Sequence, residues 1–217
     1  MSDSLTRFVA ELAEITIGAT VNPYSVYEPT LDREGGAAIR AANLAAYLGA
    51  RPHPRLMLVG EAPGYRGCRF SGIAFTSERS LPPGRHSSLH PKGWVEPSAT
   101  IIGGALVLAG LTDETVMWNA CPLHPAGATP LSNRTPTRAE LEAGRLWLTR
   151  LIELLEPELI VAVGRSAAAA LPGAPLIRHP ANGGASACRS GIAAIAAQLK
   201  AHPQRGAADG GQKETRS

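Results

Sequence analysis

Four short apolar runs, each separated from the next by a segment with helical spacing, constrain this chain more than any other feature. The runs cover residues 55–60, 115–119, 159–163 and 176–178. They are nearly continuous in hydrophobicity rather than alternating, which is the pattern of strands buried on both faces. Helical segments are expected at about 33–48, 97–109, 137–155, 164–171 and 191–200, with an earlier one carrying Leu5, Phe8, Val9, Leu12 and Ile15. Thr137 and Glu140 have the spacing of a capping box. Strands alternating with helices imply a parallel sheet with helices on both sides. The expected fold is α/β: a three-layer α/β/α sandwich around about four parallel strands.

The chain has 217 residues and a formal charge of +3, with a pI near 9.0. That length suits one domain, over residues 1–202, and the polar, Gly-rich 203–217 stretch reads as a disordered tail. No apolar run approaches the roughly 20 residues needed to cross a membrane. The N-terminus lacks a basic region ahead of an apolar core. The expected location is therefore cytoplasmic. The cysteines Cys68, Cys121 and Cys188 form no C-x-x-C pair and stand far apart, so they read as reduced thiols, with neither a disulfide framework nor a metal site.

Two long connections are basic. Residues 79–92 carry Arg79, Arg85, His86, His90 and Lys92 without an acid, and 126–138 carry Arg134 and Arg138, again without one. Both are rich in Pro, Gly or Ser and read as loops. A 61–95 connection is long for a compact domain, and loops of that length are usually functional. Basic loops beside a cleft suggest a small group attached to a phosphate chain.

The chemistry sits at strand ends. Gly60-Glu61-Ala62-Pro63-Gly64 follows the first run, Asn119 ends the second, and His179-Pro180 follows the fourth. In open α/β sheets, ligands bind outside the carboxyl ends of the strands. A carboxylate, an amide and an imidazole gathered there suit the reading and detachment of a nucleobase.

These residues form an ordered set. Gly60-Glu61-Ala62-Pro63-Gly64 resembles motif one of the uracil-DNA glycosylase superfamily in the form used by its fourth family. Gly72-Ile73-Ala74-Phe75 resembles the Gly-x-Pro-Phe that follows it, with Ala74 in place of Pro. Asn119 resembles the base-reading Asn. Asn133-Arg134-Thr135-Pro136-Thr137 with Glu140 resembles Asn-Arg-x-Pro-x-x-x-Glu, and His179-Pro180 resembles motif two. The resemblance runs collinearly over roughly residues 55–200. It implies hydrolysis of the N-glycosidic bond of uracil in single- or double-stranded DNA. Glu61 would activate water and His179 would donate to the uracil O2. Phe75 and Asn119 would stack on and read the base, with Gly60, Ala62, Gly64 and Tyr65 completing the pocket. Tyr65 stands where some uracil-specific relatives use a Tyr against the thymine methyl. Arg85, His124, Asn133, Arg134, Asn182, Gly183, Gly184 and Arg189 are the expected DNA contacts, with His124 alternatively supporting the site from behind. The 180–186 stretch falls where the family inserts a loop into the minor groove, but it holds no bulky apolar wedge.

The chain also departs from the family pattern. Fourth-family enzymes usually hold a four-cysteine iron–sulfur cluster. Here the paired N-terminal cysteines are missing, and Gly144 stands where a later cluster Cys would fall. No cofactor or metal is expected, and Tyr24, Tyr27 and the first helix are expected to stabilise the N-terminal region instead. A separate, cluster-free bacterial branch, acting as a monomer, fits these departures. Other damaged bases (hypoxanthine, xanthine or mismatched thymine) and non-catalytic binding of uracil-containing or abasic DNA remain open. The roles of His86 and His90 are not fixed.

Overall fold

The computed structural model describes residues 3–201; the stretch expected to be a disordered tail lies outside them. Four parallel strands, β1 (Leu56–Gly60), β2 (Thr115–Asn119), β3 (Leu159–Val163) and β4 (Leu176–Ile177), form one sheet in the order β2-β1-β3-β4. Among the described residues, seven α-helices accompany them: α1 (Asp3–Glu14), α2 (Gly36–Gly49), α3 (Cys68–Ser71), α4 (Pro97–Ala109), α5 (Arg138–Leu155), α6 (Arg165–Ala170) and α7 (Ala185–Ala201).

Alternation along the strands builds the layers. Met57, Val59, Val116 and Trp118 face α1, α2 and α5, joining Phe8, Leu12, Leu44, Trp147 and Leu151 in one core. Leu56, Leu58, Val161 and Val163 face α4 and α7, joining Ile102, Leu106, Ile192 and Ile195 in the other. Successive strand residues point to opposite faces, so one central sheet feeds two apolar cores. The result is the expected three-layer sandwich. α5 opens with the expected capping box: Thr137 accepts from the Glu140 N–H, and the Glu140 carboxylate accepts from the Thr137 N–H.

Two expectations are corrected. The last helix starts at Ala185, six residues before the expected 191. Gly191 marks close packing instead of a helix start, because a methyl there would stand 2.8 Å from Cγ2 of Ile177. Tyr27 does not support the N-terminal region; it is 54 % exposed. Tyr24 does, donating to the Gly72 carbonyl at 3.0 Å.

The 61–95 connection, read as a long loop, is pinned from within. The buried Glu78 accepts from the N–H groups of Ser87 at 2.7 Å, Ser88 at 2.8 Å and Trp94 at 3.2 Å. Beside it, buried Asp32 accepts from Arg40 at 2.9 Å and from both Arg69 terminal nitrogens at 3.1 and 3.0 Å. Burial pushes the Asp32 carboxyl up, but the Arg69 and Arg40 guanidiniums outweigh it and hold it below its usual range. Arg40 also donates to the carbonyls of Pro23 and Val26. The network ties residues 22–32, α2, α3 and the long connection into one wall. Two basic residues of that connection are used inside it: Arg79 donates to the Lys92 carbonyl and His86 pairs with the Leu81 carbonyl.

Candidate active site

β1 and β2 end side by side, with Gly60 and Asn119 as register partners. Glu61 leaves the end of β1 and His179 follows β4 across the sheet. Between them opens a cleft of about 1070 Å³, lined by Glu61, Ala62, Gly64, Tyr65, Phe75, Asn119, Asn133, His179 and Asn182, among others. It lies outside the carboxyl ends of the strands, where open α/β sheets bind ligands.

Each wall is set by local backbone chemistry. Phe75 has φ 48°, a conformation costly for a bulky residue and one that persists only where its surroundings enforce it. Here it aims the ring across the end of β1. A methyl on Gly60 would stand 2.4 Å from Cζ of Phe75. Gly60 is therefore buried behind the ring and does not line the cleft, which corrects its expected role: it makes room for the stacking residue. The Phe75 and His179 rings lie 6.2 Å apart between centroids.

His179 is held by its own turn. The Ala181 N–H donates to Nδ1 at 3.1 Å, so in the neutral ring the proton sits on Nε2. Burial holds the His179 pKa below its ordinary value, while the nearby Glu61 charge pulls it upward and Arg178 pushes it down. The turn closes because Gly184 has no side chain; a methyl there would stand 2.0 Å from the His179 carbonyl oxygen. Gly184 is buried, so its expected contact with DNA is replaced by this structural task. Asn182 and Gly183, with φ 53° and 76°, form the exposed tip.

The Glu61 turn is braced from behind. His124 is 1 % exposed, and its Nδ1–H donates to the Pro63 carbonyl at 2.8 Å. Burial pushes its pKa down, with the Pro63 hydrogen bond opposing. This corrects the expected DNA contact: His124 supports the motif-one turn from inside. The carboxamide oxygen of Asn133 accepts from the Tyr65 N–H at 2.9 Å, bracing the far side of the same turn. Tyr65 packs edge-on against Trp94 at 5.9 Å, and its hydroxyl accepts from Arg66 Nε at 2.8 Å. One Glu61 carboxylate oxygen is buried without a protein partner.

Other expected DNA contacts are placed elsewhere. Arg134 pairs with both oxygens of the buried Glu140 carboxylate, at 2.6 and 2.7 Å. That pairing holds the Glu140 carboxyl down to about 2. Arg85 and Arg189 are exposed but do not line the cleft. His86 and His90 do not line it either. Sequence reasoning missed Arg66, Arg165, Arg178 and Glu96, which do. Arg165 had a signal, since it follows Gly164, whose φ of 90° permits the sharp turn out of β3.

The cysteine residues do not suit a four-cysteine cluster. Cys68, Cys121 and Cys188 are buried separately. A methyl at Gly144 would stand 2.3 Å from the Ala120 carbonyl oxygen, so no Cys side chain fits there without moving α5 off β2. Among the described residues, no three His, Cys, Asp or Glu side chains group to hold a metal ion, and no helix is long and apolar enough to cross a membrane.

A parallel α/β sandwich thus gathers a carboxylate, an amide, an aromatic ring and an imidazole in one cleft at its strand ends. The family model of the uracil DNA glycosylase superfamily matches residues 47–205. The chain belongs to that superfamily, which makes it a DNA glycosylase. The fold is similar to that of wild-type SMUG2 from Pedobacter heparinus, with a TM-score of 0.63, 17% identity, and coverage of 92% of this chain and 96% of that one. No curated protein shows significant sequence similarity to it.

Proposed function

We propose that this protein hydrolyses the N-glycosidic bond of uracil in DNA, leaving an abasic site. The observation that carries the reading is the meeting of Glu61, Phe75, Asn119 and His179 in one cleft. Such enzymes extrude the base from the helix and hold it in a pocket. Phe75 stacks on the extruded ring. The Asn119 amide offers a donor and an acceptor on one plane. It matches the C4 carbonyl and N3–H of uracil, whereas cytosine presents the reverse pattern.

The Glu61 carboxylate takes a proton from water as the water oxygen bonds to C1′. The C1′–N1 bond breaks and its electron pair moves onto the ring. His179 Nε2–H donates to O2, where the negative charge collects, and its hydrogen bond is worth most at that moment. The proton held by Glu61 then passes through solvent to the departed base anion, which completes the hydrolysis and restores the carboxylate. The carboxylate also offsets positive charge developing on the sugar.

Arg66, Arg165 and Arg178 at the cleft would meet phosphates, and the exposed 182–183 tip would face the strand beside the gap. The protein acts as a monomer, without metal or cofactor, in the cytoplasm. Excision of uracil from a labelled oligonucleotide, with Glu61→Ala as control, tests the reading. Cleavage lost in the variant supports it; no cleavage of uracil by the wild type overturns it and moves the substrate to another base.

A further inference from the structure

The cleft holds a second carboxyl group that the mechanism above does not use. Glu96 stands immediately before α4 and lines the same cleft as Glu61, Asn119 and His179. Its N–H donates to Ser77 Oγ at 2.9 Å, two residues beyond Phe75, so it is anchored to the wall that carries the stacking ring. Its Oε2 is buried with no hydrogen-bond partner. The carboxyl occupies the space a side chain at position 67 would take, since a methyl on Gly67 would stand 1.8 Å from Oε2. A buried carboxyl oxygen without a partner is costly, and because Glu96 also lines the cleft, a bound base could supply the partner the carboxyl lacks.

Resting on the glycosylase reading, we infer that Glu96 is a further base-binding residue of the pocket, its neutral carboxylic acid donating a hydrogen bond to a carbonyl oxygen of the extruded base. The groups around it favour that form. Cys68 is the titratable neighbour on α3, its thiol pushed up to about 12 by burial, and so supplies no charge. Ser77 is neutral. Glu61, Tyr65, Arg66, Arg165, Arg178 and His179 line the cleft at large. Burial pushes the Glu96 carboxyl up to about 7. Neutral carboxylic acids kept as donors in apolar sites are an established device for stabilising charge that develops on a carbonyl.

The test is the pH profile of uracil excision by Glu96→Gln and Glu96→Leu beside the wild type, under single-turnover conditions. The wild type loses activity as pH rises through about 7, because the donor is lost as its proton leaves. Glu96→Gln keeps a donor at every pH and removes that alkaline limb. Glu96→Leu lowers the rate about 3- to 10-fold at pH 6, the loss of one hydrogen bond, and also lacks the limb. Thermal melting confirms that each variant is folded; if one is not, the profile of the other decides. A wild-type alkaline limb that persists unchanged in a folded variant overturns the role of Glu96 while leaving the glycosylase reading intact. A wild type inactive on uracil overturns both together.

Discussion

The Ala181 N–H donates to Nδ1 of His179 at 3.1 Å, and this bond chooses the tautomer. With Nδ1 accepting, the neutral ring presents Nε2–H to the cleft. A second proton would have to sit on Nδ1, against the amide that already points there. The ring is therefore built to work neutral, in agreement with a pKa held below 6.5 by burial. His179→Ala is expected to lower the excision rate about 10²–10³-fold with an unchanged circular dichroism spectrum. The folded ring binds fewer protons than the unfolded one. It therefore withdraws stability as pH falls through 6.5 toward the folded value. An NMR titration of the ring checks both points: a pKa above 6.5 removes the argument, and Glu61→Gln should lower the pKa further by deleting the neighbouring charge.

Gly60→Ala tests whether the Phe75 ring is placed by the end of β1. The added methyl would stand 2.4 Å from Cζ and 2.7 Å from Cε2 of Phe75, and 2.9 Å from Oδ1 of Asn119. A ring cannot bend away as a flexible chain end can, so Phe75, Asn119 or both must shift. Misplacement of a positioned group by about 1 Å costs on the order of 10²-fold in rate. Glycosylase kinetics should show that loss, and a crystal structure of the variant should show the moved ring. An undisturbed rate would mean the base does not rest on Phe75.

Arg134 is expected to matter for the fold and little for DNA. Its guanidinium grips Glu140, which also accepts from the N–H groups of Thr137 and Ala19. Removing the partly exposed guanidinium leaves the buried Glu140 carboxylate uncompensated. Arg134→Ala should lower the melting temperature at neutral pH. Because Glu140 is held down to about 2, the contribution is present above its ordinary 4.5 and disappears as pH falls toward 2. The salt dependence of DNA binding should be unaltered; a shallower slope by about one unit would identify Arg134 as a phosphate contact after all.

The layered fold was legible because apolar period and length are sequence signals. The runs at 115–119 and 159–163 became strands with those bounds, and the Thr137 to Glu140 capping box formed as spaced. The motif positions followed, since strand ends follow from strands. What stayed hidden has no period. Asp32, Arg40, Arg69 and Glu78 lie up to 46 residues apart, counting from 32 to 78. Their pairing depends on how residues 22–32 fold back over α2. The same is true of His124 and Arg134. Arg134 read as a phosphate contact and His124 as either a DNA contact or a support from behind, and only the path of the chain shows the partner each one takes. Glu96 was visible only as a residue before a helix, because nothing local marks a carboxyl that will face a cleft.

The buried Asp32 provides the strongest test of that hidden wall. It accepts from two guanidiniums at once and from the Glu28 N–H at 2.8 Å. Asp32→Ala leaves Arg40 and Arg69 buried without their shared counter-charge, a loss of about 3–5 kcal/mol for a broken buried pair. For a chain of this size each kcal/mol lowers the melting temperature by about 2–4 °C. The carboxyl is held below its usual 3.8. The wild type therefore carries this stability above that pH and loses it as pH falls toward the folded value. Thermal melts of wild type and Asp32→Asn should differ most near neutrality and converge below 3.8. Equal melting temperatures at neutral pH would show that the network does not hold the wall.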